Sequence, residues 1–186
     1  LGLAVLLQFN RFTVLLACAS LILVALYPLA KRVTDWPQAI LGLTFNWGAL
    51  VGWAAVTGDL DLPALLLYAA GFFWTLGYDT IYAHQDKADD MLIGVRSTAL
   101  RLGSLTRPWL AGFYAMATLL LAAAGWCAGL AWPFAVGLLL AAGHFAWQTA
   151  TLDIDDAKGC LARFRANRHV GLMVFLAIVA GRTINA

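Results

Sequence analysis

Aspartates are concentrated in one short segment of this chain, residues 79–90. Asp79, Asp86 and Asp90 are spaced by seven and four residues, so in a continuing helix they would lie near one stripe. Side chains at positions i and i+4 point the same way, about 5 to 6 Å apart, and two carboxylates there repel each other. A hard divalent cation relieves this repulsion, because Mg²⁺ prefers oxygen ligands. The spacing therefore predicts Asp86 and Asp90 as Mg²⁺ ligands, with Asp79 beside them.

Other interpretations of the acidic residues stay open. A solvated loop can be acidic without holding a metal, and Asp79 would then cap a helix or pair with Arg96. Zinc at His84 is disfavoured, because no second histidine or cysteine is close in sequence and zinc sites favour nitrogen and sulfur ligands. The acidic segment 153–156 has no interleaved aromatic or basic residue. We interpret this second acidic segment as a solvated loop.

A second polar cluster runs from Tyr27 to Arg32, at the end of a long apolar run. Lys31 and Arg32 can serve as anchors at the cytoplasmic end of a membrane helix. They can also form an anion site, because arginine offers a planar fork for carboxylate or phosphate and lysine a compact charge. Both interpretations place this cluster on the same face of the membrane as the aspartate segment.

The elements that must position these residues are membrane helices. Hydrophobic residues make up 62% of the chain and charged residues only 12%, against about 25% charged in soluble domains. Uncharged runs long enough for helices occupy residues 12–30, 36–58, 62–78, 108–152 and 169–181. The run 108–152 is too long for one span and divides near Gly125, Gly129 and Pro133. With residues 1–10 ending an earlier span, we predict an all-α integral membrane bundle of six full helices plus part of one.

The basic residues are divided unevenly between the loops of such a bundle. All of the twelve except Arg11 and Arg182 fall on the side that carries the aspartate segment. Because positive loops stay cytoplasmic, we expect a multi-pass protein of a bacterial inner (plasma) membrane with its active-site loops in the cytoplasm. No basic stripe follows one face, so a nucleic-acid partner is not expected.

The residues from Tyr78 to Asp90, with the following Ile93-Gly-Val-Arg-Ser-Thr98, resemble the second aspartate-rich motif of the UbiA superfamily of intramembrane aromatic prenyltransferases. The segments 27–32, 36–38 and 167–171 resemble its 4-hydroxybenzoate polyprenyltransferase branch, which serves ubiquinone synthesis. The resemblance covers essentially the whole chain. It implies one transmembrane prenyltransferase domain over residues 1–186, in a helix bundle of the UbiA type.

The resemblance also implies a reaction and a metal. A polyprenyl group would pass from polyprenyl diphosphate to the ring carbon ortho to the hydroxyl of 4-hydroxybenzoate. Asp86 and Asp90 would hold Mg²⁺ on the diphosphate, and Lys31 would add positive charge. Neutralising the diphosphate would help it leave, and the surrounding apolar helices would shelter the allylic cation from water.

The remaining roles concern the aromatic acceptor and the cation. Arg32 would bind the carboxylate of 4-hydroxybenzoate. Asp86 or Asp79 would accept or stabilise the phenolic proton. Tyr78 and Tyr82 would turn the faces of their rings toward the cation. Alternatives are a UbiA-type enzyme with another acceptor (haem, chlorophyllide, homogentisate or a naphthoate), a small membrane transporter, and a non-catalytic scaffold.

The family to which the resemblance points has nine helices and two aspartate-rich motifs. Six helices and a part fit helices three to nine, so we expect an N-terminally incomplete chain that is inactive alone. The sequence upstream of Leu1 should then contain a second Asp-x-x-x-Asp, opening with an Asn-Asp pair. Sequencing that region tests the expectation, and a region without such a motif would indicate a degenerate relative.

Overall fold

The computed structural model describes residues 2–184 without the side chain of Lys31, and every regular element in that range is helical. In chain order the helices are α1 Gly2–Leu6, α2 Arg11–Val33, α3 Pro37–Phe45, α4 Trp47–Thr57, α5 Leu62–Gln85, α6 Lys87–Ile93, α7 Thr98–Leu102, α8 Thr106–Cys127, α9 Trp132–Thr151 and α10 Ala157–Thr183. A 3-10 turn, Gly103–Leu105, leads into α8. The predicted all-α fold is confirmed.

The six predicted membrane helices correspond to α2, the pair α3–α4, α5, α8, α9 and α10. Within the described residues, three stretches are long and apolar enough to cross a membrane by length and composition: Arg11–Ala30, Pro37–Thr57 and Thr98–Cys127. The predicted break in the run 108–152 is also present. It lies between Cys127 and Trp132, where Gly129 has a φ of 65°.

The last helix begins earlier than the uncharged run 169–181 predicts. It starts at Ala157, and the exposed Arg165 and Arg168 lie on its first half. The uncharged run marks only the apolar part of this helix, because long basic side chains on a helix can extend toward water without ending it.

The predicted span 36–58 is broken at Asn46, between α3 and α4. The Asn46 Nδ2 donates to the Gly42 carbonyl and to the Thr75 Oγ1 of α5, each at 2.8 Å. A side chain that takes over a helix carbonyl in this way interrupts the regular hydrogen-bond ladder. Gly71 makes room for it, because a Cβ at that position would overlap the Asn46 side chain.

Helix α5 is the centre of the bundle and contacts α3, α4, α7, α8 and α10. Gly77 lets α8 approach it closely, because a Cβ there would overlap the ring of Tyr114. Tyr114 is 3% exposed and stacks on Phe145 of α9 with ring centroids 4.2 Å apart. The Tyr114 ring therefore cannot move away from α5, and Gly77 sets the distance between α5 and α8.

A buried polar network joins α5, α8, α9 and α10. The Trp74 Nε1 donates to Asn167 Oδ1 at 2.8 Å, and Asn167 Nδ2 donates to Gln148 Oε1 at 3.1 Å. Tyr114 donates to the same Gln148 oxygen at 2.9 Å, and the Gln148 amide nitrogen lies 3.0 Å from His144 Nδ1. Buried polar groups are stable when they are hydrogen-bonded in this way, so the network fixes α5 against its neighbours.

Replacing Gly77 with alanine should destabilise the bundle, because the added methyl group overlaps the fixed Tyr114 ring. Overpacking of this kind costs about 1–3 kcal/mol, measured as the free energy of unfolding in a detergent titration. Gly143 in α9 is the matched control, because a Cβ there meets nothing within 4 Å. Gly143→Ala should be neutral or stabilising by up to about 1 kcal/mol. Equal unfolding free energies for the two variants would contradict the role given to Gly77.

Candidate active site

A small cavity of about 60 Å³ lies at the C-terminal end of α5, where α5 meets α2, α3 and α6. Carboxylates dominate its polar lining, together with two phenols and one amide. Its lining residues are Tyr27, Pro37, Gln38, Asp79, Tyr82, Ala83, Asp86 and Asp90. The three aspartates singled out by their spacing therefore face one space.

The predicted continuous helix through the aspartate segment is interrupted at Asp86. Helix α5 ends at Gln85, and Asp86, with φ −96° and ψ 4°, links it to α6. The Asp90 N–H donates to the Asp86 carbonyl at 2.8 Å, so the first turn of α6 starts directly at this link. The three aspartates nevertheless line the same cavity, because the link is a single residue.

Burial distinguishes Asp90 from an ordinary surface aspartate. It is only 4% exposed, and it shares the cavity with the half-buried Asp79 and Asp86. A buried charge is costly unless it is paired, hydrogen-bonded or bound to a metal. Asp90 is therefore placed for a specific positive or hydrogen-bonding partner.

The segment after α6 folds back onto the cavity wall. The Thr98 N–H donates to Gln38 Oε1 at 3.2 Å, and the Thr98 hydroxyl lies 2.8 Å from that of Thr80 on α5. Arg96 lies 3.7 Å from Asp35, and both side chains are about half exposed. The sequence suggested Arg96 as an alternative partner of Asp79. In the structure Arg96 is directed to the α2–α3 loop instead.

The other predicted site residues are placed differently. Tyr82 lines the cavity and packs its ring 4.7 Å from Phe164, centroid to centroid. Tyr78 also contacts Phe164, at 5.7 Å, but it does not line the cavity. Arg32 is exposed and lies outside the lining, and the side chain of Lys31 falls outside what the structure describes. The roles of these four residues stay predictions.

Sequence reasoning assigned no role to Tyr27 or Gln38, although both line the cavity. Tyr27 opens the polar cluster that ends at Arg32, and its position one helical turn before Lys31 could have indicated a shared face. Gln38 is a polar residue in the first turn of an otherwise apolar span. An amide in such a position needs a partner inside the protein, and this need could have drawn attention to it.

His84 serves the structure of this region rather than the cavity. It is 4% exposed, and its Nε2 lies 2.9 Å from Thr106 Oγ1 at the start of α8. Thr106 donates its own hydroxyl to the Gly103 carbonyl at 2.8 Å, so the histidine donates from Nε2. Within residues 2–184 no group of three or more histidine, cysteine or acidic side chains is placed to hold a metal. Zinc at His84 therefore gains no support.

The second acidic segment is a loop, as predicted. Asp153, Asp155 and Asp156 are exposed between α9 and α10, and the Asp155 N–H donates to Asp153 Oδ1 at 3.0 Å. The loop lies at the same end of the bundle as the cavity, because Arg107 at the start of α8 donates to the Leu152 carbonyl at 2.8 Å.

A second, larger cavity of about 1150 Å³ lies at the opposite end of the bundle. Its walls are mainly apolar and come from α4, α5, α8, α9 and α10, with Asp61 and Arg182 as its charged lining residues. The 24 residues of α5 cover about 36 Å at 1.5 Å per residue. The acidic cavity and the apolar cavity are thus separated by most of the length of α5.

The family model described as the UbiA prenyltransferase family matches residues 1–185. The mitochondrial 4-hydroxybenzoate polyprenyltransferase of Caenorhabditis elegans is 51% identical over 96% of this chain and 51% of its own length. The same-named protein of Drosophila melanogaster is 49% identical over 100% of this chain and 48% of its length. That of Homo sapiens is 50% identical over 97% and 49%. The chain spans about half the length of the curated relatives it matches.

Two solved structures share the fold. A UbiA homolog from Aeropyrum pernix K1, in its apo form, superposes with a TM-score of 0.72 at 26% identity, covering 98% of this chain and 67% of the other. A digeranylgeranylglyceryl phosphate synthase superposes with a TM-score of 0.71 at 17% identity, covering 97% and 64%, and shows the fold alone. The match of the family model over residues 1–185 shows that the chain belongs to the UbiA prenyltransferase family.

Proposed function

We propose that the protein containing this chain transfers a polyprenyl group from polyprenyl diphosphate to the ring carbon ortho to the hydroxyl of 4-hydroxybenzoate, in ubiquinone biosynthesis. The observation that carries the proposal is the convergence of Asp79, Asp86 and Asp90 on one cavity. The choice of acceptor is supported by the printed names of relatives about 50% identical over nearly the whole chain. Because those relatives are about twice as long, we also propose that turnover requires sequence beyond these 186 residues.

The cavity residues fit a divalent metal with oxygen ligands. Mg²⁺ commonly takes one or two protein carboxylates and completes its shell with water and substrate phosphate. We propose that Asp86 and Asp90 are those carboxylates, since both line the cavity and Asp90 is buried. Bound there, Mg²⁺ would neutralise charge on the departing diphosphate.

The surrounding side chains complete the proposed reaction. The bond between the allylic carbon and the diphosphate oxygen breaks, and the diphosphate leaves with the bonding electron pair. The ortho ring carbon forms the new carbon–carbon bond, and the proton on that carbon passes to the departing diphosphate or to water. Asp79 or Asp86 accepts or stabilises the phenolic proton, and the rings of Tyr78 and Tyr82, both in contact with Phe164, face the allylic cation. Lys31 adds positive charge for the diphosphate, and Arg32 binds the benzoate carboxylate.

Replacing Asp86 or Asp90 with asparagine should abolish most Mg²⁺-dependent activity of the full-length protein. Losing several kcal/mol of electrostatic stabilisation corresponds to a fall of about 100-fold or more in kcat/KM. The measurement is formation of prenylated 4-hydroxybenzoate in membranes, at a series of Mg²⁺ concentrations. Higher Mg²⁺ should restore part of the activity if the substitution weakens metal binding.

Asp155→Asn is the matched control, because Asp155 is an exposed aspartate at the same end of the bundle and outside the cavity. Its activity should stay within about twofold of wild type, since an exposed carboxylate contributes little. Full activity in Asp86→Asn and Asp90→Asn would remove the metal role. Product from only a non-benzoate acceptor would overturn the proposed substrate, and solute uptake without any prenylated product would favour a transporter.

The proposed membrane orientation rests on the basic loops at the end of the bundle that holds the acidic cavity. We propose that the acidic cavity and the 153–156 loop face the compartment that holds the basic loops, which is the cytoplasm for a bacterial inner membrane. The printed names of the relatives are mitochondrial and lend no support to a bacterial location. For a mitochondrial protein the corresponding side is the matrix.

Cysteine labelling tests this orientation in a bacterial expression host. Cys127 is exposed at the end of α8, whereas Asp155 lies at the other end of α9. In right-side-out vesicles a membrane-impermeant maleimide should label Cys127 in a Cys18→Ala background, and it should not label Asp155→Cys when both exposed cysteines, Cys18 and Cys127, are replaced with alanine. Inside-out vesicles should give the opposite result. Labelling of both positions from one side would contradict the helix topology, and complete reversal would contradict the orientation.

A further inference from the structure

Gln38 is the neutral amide of the acidic cavity. It lies in the first turn of α3, directly after Pro37, and it is only 3% exposed. Its side chain lines the cavity together with the three aspartates. A side chain so deeply buried contributes to the cavity in one fixed orientation rather than as a mobile surface group.

The hydrogen bond to Thr98 determines which end of the amide is free. The Thr98 N–H is a donor and lies 3.2 Å from Gln38 Oε1, so this position must hold the oxygen. The amide nitrogen is thereby fixed at the other position with both of its hydrogens. Within residues 2–184 this nitrogen has no acceptor, because the bond from Thr98 is the one hydrogen bond of the Gln38 side chain.

Because its oxygen is bonded to the Thr98 N–H, Gln38 has only its amide nitrogen to offer to the cavity. The cavity is the space that Gln38 lines. A donor left without a protein partner here is available to a bound molecule.

The cavity needs donors of this kind. Asp79, Asp86 and Asp90 accept hydrogen bonds when ionised and repel an anion in the absence of metal. Donors among the described lining side chains are the hydroxyls of Tyr27 and Tyr82 and the amide of Gln38. The two hydroxyls rotate, whereas the amide is held by Thr98. Gln38 is therefore the preorganised donor of the set.

We propose that Gln38 donates a hydrogen bond to an oxygen of the polyprenyl diphosphate and so determines how tightly that substrate binds. This inference rests on the proposed function, because it takes the diphosphate to be the anion in the cavity. Hydrogen bonds to charged groups are stronger than neutral ones. Removing this bond should therefore affect affinity for the diphosphate and leave affinity for the aromatic acceptor unchanged.

Two substitutions separate donation to substrate from support of the fold. Gln38→Met keeps the length of the side chain and loses both polar atoms, whereas Gln38→Glu keeps an oxygen for the Thr98 N–H, replaces the donor with a second carboxylate oxygen and adds a negative charge to the cavity. In the full-length protein both variants should raise the KM for the diphosphate about tenfold or more. The KM for 4-hydroxybenzoate should stay within about twofold of wild type.

Thr80→Val is the matched control. It removes the buried hydroxyl contact that holds Thr98 against α5, and Thr80 does not line the cavity. This variant should lower thermal stability and leave the KM for the diphosphate unchanged. If Thr80→Val raised that KM as much as Gln38→Met did, the effect would belong to the position of α7, and the proposal would be wrong.

The remaining outcomes are equally decisive. A wild-type KM in Gln38→Glu would mean that the amide serves only to hold Thr98. If the KM for 4-hydroxybenzoate rose instead of the KM for the diphosphate, Gln38 would contact the aromatic acceptor and not the diphosphate. If the wild-type protein makes prenylated 4-hydroxybenzoate, either of these results overturns the role of Gln38 and leaves the proposed function standing. A wild-type protein that makes no such product overturns the proposed function itself.

Discussion

The absence of water inside a bilayer is the constraint on which this bundle depends. A polar side chain on a membrane helix must find its partner within the protein. Helix α5 meets this constraint by directing successive polar residues to different neighbours. The pairs are Trp74 with Asn167 on α10, Thr75 with Asn46 between α3 and α4, Thr80 with Thr98 on α7, and His84 with Thr106 on α8. The same residues that satisfy this requirement also hold the bundle together around α5.

Because these polar residues bond to neighbouring helices, another face of α5 remains directed to the acidic cavity. Asp79 and Tyr82 point to the acidic cavity, while His84 and Thr80 bind to the scaffold. Neighbouring residues of one motif therefore contact different surroundings, because successive helix positions are rotated by about 100°. The packed side of α5 holds the helix in place, and Asp79 on its other side shares the cavity with Asp86 and with the buried Asp90 of α6.

The sequence predicted the helices well where composition decides the structure. Uncharged runs indicated six long helices, and the glycines near residue 129 indicated the break between α8 and α9. They did not predict the start of α10, because basic residues mark the end of the apolar run and not of the helix. The break at Asn46 depends on a partner from α5 that lies 29 positions away in the chain. Spacing alone brought Asp79, Asp86 and Asp90 together, but the separation of Tyr78 from Tyr82 and the place of Gln38 depend on packing between helices.

The single-residue link at Asp86 restricts how the length of this region can vary. Helix α6 begins directly after it, so Asp90 reaches the cavity only because it follows at a fixed distance along one turn. One inserted or deleted residue between the two aspartates would rotate Asp90 by about 100° around the axis of α6 and carry its carboxylate away from the cavity. Length changes are tolerable in the exposed loop at 153–156, which lines neither cavity. Among homologous chains, gaps should therefore accumulate in that loop and be absent between Asp86 and Asp90.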